Sequence, residues 1–148
     1  MMTIRTFLRS GDGLSQPVGQ CQVPPPDPDY IEGALEITID GVEIIGKPEW
    51  DYVDQLWAYL ATMVGQLRAS GEATTYLPDQ PIELSLTASD GLVRVASLVG
   101  GQVRAGLVDE VEFLATVRAE GRAAFTELTR LAAVNAASYR LSLADLAD

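Results

Sequence analysis

Histidine is absent from this 148-residue chain, and cysteine and lysine each occur once. Without imidazole there is no Ser-His-Asp triad, no Cys-His pair, no His-based metal triad and no side chain that ordinarily titrates near neutrality. The lone Cys21 excludes an intrachain disulfide and a paired-cysteine zinc site, so nothing indicates an oxidising compartment. The chain contains no run of about 18 apolar residues, the length a membrane-spanning helix needs. Its opening segment, Met1 to Arg9, lacks the apolar stretch of a signal peptide. These absences lead to the expectation of a bacterial-type cytoplasmic protein with no membrane contact.

What is present fits a single domain over residues 1–148. Apolar residues make up 47% and charged residues 21%, values at which a chain of this length builds its own core. The formal charge is −11, which argues against autonomous DNA or RNA binding. That charge is concentrated. Asp27, Asp29, Glu32, Glu36, Asp40, Glu43, Glu49, Asp51 and Asp54 face only Lys47 within the same stretch, so nine acids less one lysine leave −8 there. Dense negative potential speeds encounter with basic partners.

Residues Thr3 to Leu8 read as a short opening strand, and residues 10–30 as a loop stiffened by Pro24, Pro25, Pro26 and Pro28. Leu35, Ile37 and Ile39 alternate with Glu36 and Thr38, and Asp40-Gly41 supplies a two-residue turn, so 34–45 reads as a hairpin. Pro48 sits where a helix opens without losing a bond. Trp50, Val53, Trp57, Leu60, Val64 and Leu67 then step along one face, and Ser70-Gly71 stops the helix. A second hairpin places Ile82, Leu84, Leu86, Val93, Val95 and Ser97 on one face around Asp90-Gly91. A further strand runs from Val103 to Leu107. Asp109 with Glu112 resembles a capping box. It opens a helix whose inner face holds Leu114, Val117, Gly121, Phe125, Leu128 and Leu131, with Gly121 marking close packing. The pattern weakens from Asn135, so 135–148 reads as a short turn of helix or a frayed tail.

The expected class is α+β: an antiparallel sheet of four to six strands with two main helices packed on one face, in the order β-β-α-β-β-(β)-α. Ile45 and Leu98 fall on the nominally wet side, as strand ends or as a dimer contact.

No catalytic residue, metal site or cofactor emerges from the motifs. Gly100-Gly101 with Gly106 lacks the Gly-Lys-Ser/Thr of a phosphate loop and reads as a strand turn. Asp27, Asp29 and Glu32 lack the ligand series of a calcium loop. Cys21 has no neighbouring base. Glu49, Asp51 and Asp54, taken singly, offset the dipole of the first helix. Taken with Glu36, Asp40 and Glu43, they outline an interaction surface, and Trp50 or Tyr30 beside them would anchor it. The expected partner-binding set is therefore Glu36, Asp40, Glu43, Asp51, Asp54 and Trp50, facing a basic protein.

In its short acidic α+β character, its Ile39-Asp40-Gly41-Val42 hairpin and its Pro48-Glu49-Trp50 opening of an aromatic-rich helix, the chain resembles immunity proteins of bacterial toxin systems and small domains of high-GC bacteria. The resemblance runs over about residues 34–132 and implies inhibition by occlusion, with carboxylates masking a basic toxin surface. Two other classes stay open at this stage. One is a small-molecule-binding domain or carboxylate-dependent enzyme with a pocket between sheet and helices. The other is a structural module that oligomerises, so monomer and homodimer both remain.

Overall fold

Two Asp-Gly turns organise the strands. Asp40 and Gly41 have φ of 48° and 83°, and Asp90 and Gly91 have 52° and 78°. These are the left-handed values that a tight hairpin matching strand twist requires. The computed structural model describes residues 1–147. Its strands are β1 (Met2–Arg9), β2 (Ser15–Pro17), β3 (Glu32–Ile39), β4 (Val42–Ile45), β5 (Asp51–Tyr52), β6 (Glu72–Tyr76), β7 (Glu83–Ser89), β8 (Leu92–Val99) and β9 (Gln102–Asp109). Its helices are α1 (Val53–Ser70), α2 (Glu110–Leu131) and α3 (Ala136–Leu146).

The class is α+β with antiparallel pairing throughout, and the strands divide between two sheets. The first has the order β2-β1-β3-β4, with β5 also pairing to β3; the second has the order β6-β7-β8-β9. The division arises at β4. Its pairing with β3 slips between Ile37 and Thr38, and the slip turns both Ile44 and Ile45 inward, where each is fully buried. The end of the first sheet then packs on the second. The Ser97 hydroxyl donates to the Ile44 carbonyl at 2.6 Å. A Cβ on Gly106 would stand 2.8 Å from the Ile39 side chain, so only glycine permits this approach.

One core joins both sheets to the helices. Trp57, Phe113 and Phe125 are wholly buried, each contributing roughly 1.5–3 kcal/mol through removal of its surface from water. Trp57 meets Phe125 at 6.3 Å between centroids, and its indole N–H donates to Thr6 Oγ1 at 3.0 Å. The glycine at 121 marks close packing as expected: a Cβ there would stand 2.6 Å from Leu146 and 3.0 Å from Trp57. A cavity of about 580 Å³ lies between Thr6 of β1, the turn at Val18 and the α2 residues Ala119, Ala123 and Glu127.

Four expectations about elements need correction. Pro48 opens a single 3-10 turn over Lys47–Glu49; Trp50 is then extended, β5 intervenes, and α1 begins at Val53. Residues 10–30 contain β2 and a 3-10 turn at Val18–Gln20. The strand β6 carries only Ala73 as a buried apolar residue, too faint an alternation to announce a strand. The segment taken for a frayed tail is α3, which buries Tyr139, Ser142 and Leu146 at helical spacing; Asp148 lies outside the described residues. Of the two residues on the nominally wet side, Ile45 is core, whereas Leu98 is 40% exposed.

Candidate functional site

The acids expected to converge do not form one surface. Asp51 is only 2% exposed. Its carboxylate accepts from the backbone N–H of Tyr52 at 2.7 Å, Gln80 at 2.9 Å and Asp79 at 3.1 Å, which pins the β6–β7 loop. Three amide donors satisfy this carboxylate in the interior, so Asp51 is structural and cannot meet a partner. Asp54 stands in the first turn of α1 and accepts from the Tyr139 hydroxyl at 2.9 Å. Burial pushes its carboxyl above the ordinary value of 3.8, against the opposing effect of that hydrogen bond.

Of the others, Glu36 and Asp40 have partners within the chain and Glu43 stands exposed. Glu36 pairs across strands with Arg5 at 3.7 Å. Asp40 takes the Met1 ammonium, and the neighbouring Met2 N–H donates to Glu112 at 2.6 Å. That bond diverts Glu112 from the expected capping box, leaving the Asp109 carboxylate alone to accept from Val111 and Glu112. Glu43 is exposed on the hairpin, with its carboxylate lying over Gly46. Trp50 is half-buried, and the Arg9 guanidinium stacks on its ring at 4.1 Å. Glu49, read as a helix-dipole acid, is instead buried and receives Arg104 Nη1 at 2.7 Å and the Gly46 N–H at 3.1 Å. On the first hairpin, then, Glu36 and Asp40 have partners within the chain, whereas Glu43 has no ion pair among the described residues. Phe7 of β1, on the outer face of the first sheet, is buried under Arg5 at 5.0 Å and Lys47 at 4.4 Å.

A different site lies at the other end of the first sheet. A cleft of about 1100 Å³ opens between the β1–β2 hairpin and the proline-rich loop, with Arg9, Asp27, Tyr30, Glu32 and Tyr52 among its walls. Tyr30 is 59% exposed and meets Tyr52 at 5.4 Å between centroids, tilted by 58°. The loop is shaped locally: the Asp27 carboxylate accepts from the Asp29 N–H at 2.9 Å, and the Tyr30 N–H donates to the Asp27 carbonyl at 3.1 Å. Two side chains staple it from behind. Arg130 Nη2 donates to the Cys21 carbonyl at 2.8 Å, and Asn135 Nδ2 to the Pro28 carbonyl at 2.7 Å.

The electrostatics of the cleft are negative. Burial first, and then the charges of Asp79 and Glu32, push the Tyr52 phenol above its ordinary value. Arg9 offsets Glu32 at 3.8 Å but is itself committed to Trp50. Exposed Tyr30 and half-buried Tyr52, with Asp27 and Glu32 on the cleft wall and the Asp79 charge acting on Tyr52, favour a cation over the ring faces. Cys21 contributes no nucleophile: its thiol is buried against the Gln16 and Pro17 carbonyls, and burial raises its pKa. Among the described residues, no three Cys, Asp or Glu side chains are grouped to hold a metal ion, and no helix is long and apolar enough to cross a membrane.

Sequence reasoning named Tyr30 as an edge aromatic but missed Tyr52 as its mate and Asp79 as the third acid. Tyr52 and Asp79 are brought there by the Asp51 clamp, a long-range link that no local pattern announces. No family model, curated protein or solved structure matches the chain.

Proposed function

We propose that this protein is a non-catalytic binding module of the cytoplasm whose acid-rimmed Tyr30–Tyr52 cleft docks a basic protein. An immunity-type inhibitor that masks a toxin or enzyme surface is the form we favour. The observation that carries the reading is exposed Tyr30 against half-buried Tyr52, 5.4 Å apart, on a cleft of about 1100 Å³ whose wall includes Asp27 and Glu32. Aromatic anchors beside desolvated charges are the usual centres of tight interfaces. Cation–π attraction adds about 0.5–2 kcal/mol for an arginine or lysine seated on such rings. The open cleft suits a protruding side chain or loop, and the surrounding charge of −11 steers a cationic partner toward it.

The test compares retention of basic proteins from a bacterial lysate on immobilised wild type and on Tyr30→Ala, Asp79→Asn and Glu120→Gln variants, at low and high salt. Glu120 is exposed on α2 and controls for the loss of one charge elsewhere. Retention lost in the first two variants and kept in the third supports cleft docking. Equal loss in all three would reduce the binding to non-specific charge and overturn the proposal.

A further inference from the structure

We infer that the outer face of the second sheet is a self-association surface, on which a second copy of this chain packs its own β6–β9 face about a twofold axis. The inference is independent of the cleft, which belongs to the first sheet.

The two sheets differ in how their outer faces are treated. On the first, Phe7 is roofed by Arg5 and Lys47. On the second, no helix or strand among the described residues covers the outer side. Tyr76, Leu98, Val103 and Leu107 stand 62%, 40%, 63% and 56% exposed there. The registers place Tyr76, Glu83, Leu98 and Val103 in one row, and the small residues Thr74, Ser85, Ala96 and Ala105 in the next. The small row lies between the Tyr76, Leu98 and Val103 row and a row of Glu72, Thr87, Arg94 and Leu107, a surface flat enough for face-to-face sheet packing, in which facing layers lie about 10 Å apart.

The face carries three charged residues, Glu72, Glu83 and Arg94, and the placement of the last two identifies the occupant. Ser85 pairs with Ala96 at the centre of the face; Glu83 lies two residues along β7 in one direction, and Arg94 lies two residues along β8 in the other. They are too far apart to meet within one chain, on the order of 14 Å from strand spacing and rise. Neither has an ion-pair partner among the described residues. An in-plane twofold axis running between them brings each Glu83 over the Arg94 of the other copy, so one contact forms two identical pairs. The same rotation turns Leu98 toward the Ala105–Leu107 segment of the second copy. A surface that is charge-complementary to itself in this way is what an isologous dimer requires. The face projects roughly 500 Å² per copy from strand spacing and length. That is at the small end for specific interfaces, so micromolar association is expected.

Sedimentation equilibrium from about 1 µM to about 1 mM, spanning that affinity range, tests the inference. The wild type should pass from monomer to dimer mass. Glu83→Arg and Arg94→Glu should each weaken association at least about tenfold by facing like charges, whereas the double swap should restore it to within about threefold. Leu98→Asp should abolish the dimer, and circular dichroism would show whether each variant is folded. If Leu98→Asp does not fold, the charge-swap series still decides. A wild type that stays monomeric throughout overturns the inference. So does a dimer indifferent to Glu83 and Arg94, which would place pairing at a sheet edge, or a double swap that fails to recover.

Discussion

The Tyr139 hydroxyl donates to the Asp54 carboxylate at 2.9 Å, tying α3 to the first turn of α1 across 85 residues of sequence. Burial raises the Asp54 carboxyl, so the folded state holds its proton more firmly than the unfolded chain does. For an acid shifted upward, the stabilising contribution is fully present below the unfolded value of 3.8 and is lost as pH climbs through the higher folded value. Asp54→Asn keeps an acceptor for Tyr139 and cannot ionise. Urea unfolding at a series of pH values above 3.8 should therefore show the variant gaining stability relative to wild type as pH rises. A constant difference across the series would contradict the shift.

Asp51 is the interior counterpart. Its carboxylate serves the N–H groups of Tyr52, Asp79 and Gln80. Asp51→Ala strands those donors and should cost about 3 kcal/mol, the range for unsatisfied buried groups and charged acceptors. Asp51→Asn keeps part of the network and should cost less. Chemical denaturation measures both, and a loss in Asp51→Ala below roughly 0.5 kcal/mol, the level of an ordinary surface change, would show the clamp to be dispensable.

Glu49 and Arg104 join the 3-10 turn to β9 at 2.7 Å. Glu49 is 5% exposed and Arg104 32%, so solvent screens one side of the pair. Removing either partner alone should destabilise by about 2 kcal/mol, between the fully buried and surface cases. Glu49→Gln combined with Arg104→Met should cost much less than the two single changes added together. Additive losses would show that the two side chains act independently.

Local chemistry made much of the fold legible. Both Asp-Gly hairpins, the inner faces of β7 and β8, the stop at Gly71 and the close contact at Gly121 follow from alternation, turn residues and helical spacing. Elements carried by distant contacts were not legible. The strand β6 pairs to β7 with little apolar signal, and α3 is held by Tyr139 and Leu146 reaching elements far away in sequence. The candidate site failed for the same reason. Counting carboxylates shows where negative charge lies along the chain, but whether each is spent depends on Arg5, Arg104, Tyr139 and the amides of 79–80. Tyr30 was visible as an edge aromatic because a segment boundary is a local property; its pairing with Tyr52 was not.

The staples from Arg130 and Asn135 to the carbonyls of Cys21 and Pro28 also bear on biosynthesis. The groups that brace the wall of the cleft are translated more than a hundred residues after the wall itself. A nascent chain halted before Arg130 carries both tyrosines without the braced wall. The braced form of the cleft wall therefore cannot arise until residue 135 has been made.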